Sequence, residues 1–218
     1  MKGCPLYIQR QSIQEIARIK CIMLSQILLR QLELLDIDFK YWVTIPWGYK
    51  QRNMDRVHRR HRELRRSLRA FYKEPIKIWF FNEVHTDTAS RHCGGYHSHL
   101  LIEDCSPDRW KHPSKRMERF LSEKDPEALF AALSGQPVSD DSKQALLKRV
   151  LQLSPLVPSG SLGVVIKPIH DMQGLVGDYC LKQVGKELSI ADVIDVFNSD
   201  LNLNNDSWDA NHTRQKTL

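Results

Sequence analysis

The sequence predicts an α+β fold, a central sheet flanked by helices, and three observations lead there. Four short segments are rich in β-branched and aromatic residues and are bounded by turn formers. Two of them lie close enough in sequence to form an antiparallel hairpin. Longer segments repeat apolar residues at three-and-four spacing, the period of a helix. A chain of 218 residues is one ordinary domain with appendages, long enough to bury a core.

Residues 11–35 carry Ile13, Ile16, Ala17, Leu24, Ile27, Leu28 and Leu35 near helical spacing. This reads as a helix packed on the domain, with a dimerisation helix as the alternative. Phe39 to Trp47 reads as a strand, stopped by Pro46 and Gly48. The basic segment 49–73 is an amphipathic helix with Met54, Val57, His61, Leu64, Leu68 and Phe71 as its apolar stripe. Arg52, Arg59, Arg62, Arg66 and Arg69 fall on its other side, and His61 reads as a packed histidine rather than a ligand.

Pro75 ends that helix, and Ile76 to His85 is the next strand. A loop from Thr86 to Gly94, with Asp87, Ser90 and Gly94 as turn formers, leads into a returning strand, Gly95 to Glu103. If residue 85 opposes residue 95, Glu83 faces His97; a one-residue slip brings Asn82 or Val84 there instead. Residues 104–160 contain six prolines between short helical patterns, beginning at Asp125-Pro126-Glu127 and again over Ala145 to Leu153. They read as a helical insertion.

Ser161 to His170 is another strand, after which Asp171 caps a helix running through Tyr179 and Lys182 to Gly185. From Asn198 the chain turns polar, a disordered tail apart from Trp208. The organisation is thus a helical extension (1–36), a domain (37–190) with an insertion at 104–160, and a tail (191–218).

Composition narrows the function classes. No apolar run reaches membrane-spanning length, because Arg18, Lys20 and Arg30 interrupt the first helix. The same stretch lacks a cleavage site of small residues, so export is not expected. Five cysteines without a C-x-x-C pair read as reduced thiols of a cytoplasmic protein; Cys93 and Cys105 flank the histidine pair without a zinc-ligand spacing. The net charge is +6, yet residues 49–73 alone hold ten Lys or Arg against Asp55 and Glu63. The basicity is local, and the helix that carries it suits a polyanion.

The chemistry rests on Tyr96-His97-Ser98-His99 and on Tyr179 with Lys182. Strand alternation puts His97 and His99 on one face, as neighbouring ligands of a divalent metal require. A tyrosine and a lysine three apart on a helix also share a face. A metal near a phenol and a cation points to attack on a nucleic-acid phosphate. The phenol titrates near 10, so a metal on the phosphate and a nearby lysine must stabilise the developing charge. Such attack leaves a 5′-phosphotyrosyl link and a free 3′ hydroxyl. Imidazole and carboxylate ligands suit Mn2+ or Mg2+, although the histidines alone would admit zinc or nickel.

These segments and their order resemble the HUH endonucleases, in particular the rolling-circle replication initiators of small plasmids, phages and single-stranded DNA viruses. The strand Tyr41 to Pro46 resembles their first motif, Tyr96 to Leu101 their metal motif, and Asp178-Tyr179-Cys180-Leu181-Lys182 their catalytic one. The resemblance covers roughly residues 39–103 and 161–185. It implies a sheet of about five antiparallel strands. His97, His99 and Glu83 would be metal ligands with His85 in reserve, Tyr179 the nucleophile, and Lys182 the group that positions the phosphate. Ser98 departs from the family, which has a bulky hydrophobic residue there; the position points away from the metal, so packing is affected rather than ligation.

The implied partner is single-stranded or hairpin origin DNA, gripped by Lys50, Arg52, Arg59, Arg62 and Arg66 with Trp42 or Trp47 as stacking aromatics. No G-x-x-x-x-G-K-[ST] loop is present, so a host helicase and polymerase are further implied partners. Three alternatives stand. A single-tyrosine transposase of the same superfamily would use a glutamine four residues after the tyrosine, an offset that Gln183 occupies. A non-catalytic single-strand binder would keep the histidines as structural residues. A metallohydrolase would use water as its nucleophile.

Overall fold

The computed structural model describes residues 5–47, 52–72, 74–86, 93–103, 134, 139–153, 164–184 and 188–201. Lys50, Cys105, the helix start at Asp125 and Trp208 lie outside the described residues.

Helix α1 spans Pro5–Leu34. Leu24, Leu28 and Leu32 recur every four residues on its buried side, while Ile16, Ile19, Ile22 and Met23 are exposed. It ends where Asp36 turns left-handed (φ +48°) and the Ile37 N–H donates to Leu32 O at 3.0 Å, which occupies one carbonyl of the last turn. Strand β1 is Phe39–Pro46 and helix α2 is Met54–Phe71, opened by Asn53, whose side-chain oxygen accepts from the Arg56 N–H. Then come β2 (Ile78–Val84), β3 (Tyr96–Glu103), α3 (Asp140–Leu153) and β4 (Val165–Pro168). A short α4 (Met172–Gly174) runs straight into a π-helical segment, Leu175–Cys180, and α5 is Ile190–Val193. No described helix is long and apolar enough to cross a membrane.

The strands form one antiparallel sheet in the order β2-β3-β1-β4. The α+β class is as expected, with four strands among the described residues where about five were anticipated. Period-two alternation sends Tyr41, Val43, Ile45, Phe80, Leu100 and Ile102 to one face, where Val57, Leu64 and Leu68 of α2 and Leu147 and Leu151 of α3 cover them. Phe39, Trp79, Phe81 and Leu101 point to the other face, against α1 and the π-helical segment. The sheet therefore divides two cores, and each helix belongs to one side.

The outer edge of β2 is closed by side chains acting as backbone. Gln183 accepts from the Val84 N–H through Oε1 (2.8 Å) and donates to Val84 O through Nε2 (2.9 Å). Ser199 Oγ accepts from the Phe80 N–H and Asp200 Oδ2 from the Ile78 N–H, each at 2.9 Å, while the N–H groups of Asp195 and Asp200 return to Phe80 O and Ile78 O. An exposed edge of this kind would otherwise offer unpaired groups to another chain.

This closure moves the expected boundary at 190 and the expected start of disorder at Asn198 to beyond residue 201; residues 202–218 lie outside the described residues. Residues 190–201 belong to the folded unit, and Asn198 and Ser199 are buried. Their polarity looked like that of a tail, but it is spent on main-chain groups of the sheet edge and of α2.

Candidate metal centre and tyrosine site

The hairpin has the register expected from the sequence. Glu83 pairs with His97, and His85 N–H donates to Gly95 O at 3.0 Å. Gly94, at φ +75°, supplies the left-handed residue that the turn requires. Alternation then places Glu83, His97 and His99 together on the face that carries α1 and the π-helical segment. Glu83 Oε2 lies 3.0 Å from His99 Nε2 and 3.3 Å from His97 Nε2. Each of the three side chains offers a ligand atom within 4.8 Å of the others.

The protonation states suit a cation. Burial raises the Glu83 carboxyl, but hydrogen bonds from His97, His99 and Lys182 outweigh it and hold the group well below the usual carboxylate range. Burial lowers His99 to about 4 against the partial support of Glu83, so the ring is neutral near pH 7. One ionised carboxylate and a neutral imidazole, with a second imidazole beside them, form a donor set that a divalent metal accepts. His85 stands as expected beside this set, its ring 4.2 Å from that of His97.

Two residues that the sequence reading did not assign to the metal site orient His99. Thr44 lies directly opposite His99 across the β1–β3 ladder, with Oγ1 3.0 Å from Nδ1. Trp42, two residues earlier on the same face, donates its indole N–H to that Nδ1 at 3.0 Å. An indole N–H can only donate, so in this state the ring proton sits on Nε2, aimed at Glu83. A metal held at Nε2 would need the proton on Nδ1, where Thr44 Oγ1 could accept it and the Trp42 N–H could no longer donate. The only sequence signal for these residues was their parity with Thr44's partner, legible once the strand pairing is known.

Tyr179 and Lys182 arrive from the other side. Asp171 caps α4 as expected, accepting from the Gly174 N–H at 2.9 Å, but the helix widens to π geometry over Leu175–Cys180. A residue inserted into a helical turn in this way re-aims the side chains that follow it, and such turns recur at functional sites. The Tyr179 ring packs edge-on against Trp42 (centroids 4.7 Å apart) and His99 (5.1 Å). Lys182 Nζ lies 3.9 Å over the Tyr179 ring and 2.6 Å from Glu83 Oε1. Burial raises the Tyr179 phenol while the Lys182 charge opposes the rise, so the hydroxyl is not acidic by itself. Cys180 beside it is buried, its thiol pushed far up by burial, and is inert.

Gln183 is committed elsewhere, since both ends of its amide bond the Val84 main chain. The expected DNA contacts divide. Arg52, Arg59, Arg62 and Arg66 are exposed; the last three belong to α2, on the sheet face opposite Glu83, His97 and His99, while Arg52 precedes it. Trp42 is taken up by His99 and Tyr179. Trp47 is a correction: it is 2% exposed and its Nε1 donates to Ser98 Oγ, so it is a core residue and no stacking platform.

Ser98 does point away from the metal, into a wholly buried polar chain. Its hydroxyl donates to Asn82 Oδ1 (2.6 Å) and lies 2.8 Å from His61 Nε2, while His61 Nδ1 lies 2.7 Å from Asp195 Oδ2. His61 is thus packed, as read from its place on the apolar stripe. No family model, curated protein or solved structure matches this chain.

Proposed function

We propose that the protein nicks single-stranded origin DNA by metal-assisted attack of Tyr179, as a rolling-circle replication initiator does. The observation that carries the reading is the meeting of Tyr179 and Lys182 with Glu83, His97 and His99, drawn from separate parts of the chain. A divalent metal, Mn2+ or Mg2+, would be held by Glu83, His97 and His99 and would supply Lewis-acid stabilisation of the phosphate.

The chain's own residues do the rest. Lys182, held by Glu83 beside the Tyr179 ring, places a positive charge where negative charge develops during transfer. Trp42 and His99 hold the phenol ring from two sides and so restrict its approach. The Tyr179 oxygen forms a bond to phosphorus as the bond from phosphorus to the 3′ oxygen breaks. The phenolic proton goes to water and the departing 3′ oxygen takes one up, leaving a 5′-phosphotyrosyl link and a free 3′ hydroxyl; the reverse steps rejoin the strand.

Gln183 favours the initiator over the single-tyrosine transposase, because its amide is occupied by Val84 and Glu83 fills the third ligand position. On this reading the protein acts in the cytoplasm of a host cell, where a helicase and polymerase extend the 3′ end.

The test is cleavage of a labelled single-stranded oligonucleotide carrying the replication origin of the element that encodes the protein. Cleavage should require Mn2+ or Mg2+ and stop on chelation. Tyr179→Phe, His97→Ala and His99→Ala should each lower it by at least about 10²-fold, as expected for loss of nucleophile or metal, with salt-dependent binding retained. Cleavage that survives Tyr179→Phe would point to water as the nucleophile, and binding without any cleavage would point to a non-catalytic module.

A further inference from the structure

Phe197 is 90% exposed, the most exposed large apolar side chain among the described residues, and it stands on a rigid turn. Asp195, Asn198 and Ser199 around it are buried. Asn198 Nδ2 donates to His58 O of α2 at 3.1 Å and to Asp195 Oδ2 at 2.6 Å, and Asp195 holds His61. Asp200 closes the turn by pairing with Arg65 and Arg69. With Asp195 buried and bonded on one side of it and Asn198 and Ser199 on the other, the ring is held out in water by its surroundings.

The turn runs along the side of α2 formed by His58, His61, Arg65 and Arg69. At 100° per residue, Arg62, Arg66 and Arg59 form the next stripe round the helix, and all three are exposed. Asp200 offsets one of the two charges of the inner arginines, and it is turned to them rather than to this outer stripe. An exposed ring on a turn that is bonded to the side of α2 bordering this stripe suits a strand whose phosphates need cations and whose bases are free to stack. A duplex keeps its bases stacked internally and has none to offer the ring.

We propose that Phe197, at the β2 edge of the sheet, and the arginine stripe Arg59, Arg62 and Arg66 of α2 form a binding platform for single-stranded DNA. Phe197 takes the stacking role that the sequence suggests for Trp42 or Trp47. The platform rests on the nuclease reading only for the choice of DNA; the geometry stands without it.

The experiment is fluorescence anisotropy with a labelled oligothymidylate and the full chain, in chelator so that no cleavage chemistry enters. Phe197→Ala should weaken binding about tenfold, as loss of one base stack does, with an unchanged salt slope. Phe197→Trp should restore it, and an abasic oligonucleotide should bind wild type and Phe197→Ala alike. Arg62→Ala with Arg66→Ala should flatten the salt slope by about 1.4, at roughly 0.7 for each single-strand phosphate contact. Equal affinity of wild type and Phe197→Ala for oligothymidylate, or a blunt duplex bound as tightly as the single strand, would overturn the platform. If Phe197-dependent binding appears and cleavage never does, the platform stands and the nuclease reading falls.

Discussion

His99 concentrates the physical demands of the site on one ring. It is buried, bonded at one nitrogen by Trp42 and Thr44, and aimed at Glu83 by the other. Its value of about 4 lies below the ordinary 6.5, so the neutral form is the one the fold favours. The unfolded chain therefore binds a proton below pH 6.5 that the folded chain refuses. Stability from this group is complete above pH 6.5 and is lost as pH falls toward about 4. By pH 5 the loss amounts to about 2 kcal/mol, at about 1.4 kcal/mol per unit. Urea unfolding in chelator should show wild type losing about 2 kcal/mol more than His99→Gln between pH 7 and pH 5. Parallel losses would contradict the assignment.

The residue types of this centre were readable from the chain because a strand's period of two is strict. His97 and His99 had to share a face, and the register through Glu83 followed from one assumption about the turn. Thr44 and Trp42 were hidden because their contact with His99 depends on β1–β3 pairing, between strands more than fifty residues apart.

At the scale of elements, the β2 edge and the buried chain behind β3 decide what each segment does. Gln183 seals the end of β2, so Gln183→Ala should cost about 1–2 kcal/mol in unfolding free energy by leaving Val84 main-chain groups without their partners. Calorimetry should find its Mn2+ affinity within about twofold of wild type, whereas loss of a ligand costs at least the 10–100-fold typical of groups that merely orient one. A tenfold drop would make Gln183 a ligand and favour the transposase chemistry. Asp195 anchors the chain through His61 to Ser98, the residue between the two histidines. Asp195→Ala leaves buried donors of His61 and Asn198 unmet and should cost about 3 kcal/mol, read by urea unfolding. A loss under about 1 kcal/mol would mean that the chain does not brace β3.

Amphipathic α2 and the hairpin were legible because apolar spacing reports burial. The π-helical segment was not, since a shift from α to π spacing leaves no periodic signature over six residues. Nor were residues 195–200, whose polar side chains are buried by bonding to a strand edge rather than by apolar contact. Trp47 was misread for a related reason: an aromatic beside a basic helix suggests stacking until its indole is seen bonded to Ser98.

For the whole molecule, the sheet separates chemistry from charge. The tyrosine site faces α1, and the arginines of α2 face outward from the opposite side. A DNA strand that used both would have to pass round the sheet. Exposed Arg52 marks one route, since its guanidinium lies against Gly94 at the turn of the β2–β3 hairpin, three residues before His97. All of this matters to function only if the Tyr179 oxygen becomes joined to DNA. The decisive measurement is mass spectrometry of the protein after incubation with a single-stranded origin oligonucleotide and Mn2+, followed by denaturation and digestion. The account predicts a nucleotide-bearing peptide with the modification on Tyr179, absent from Tyr179→Phe; a cleaved strand with no such peptide, or one attached at another residue, would contradict it.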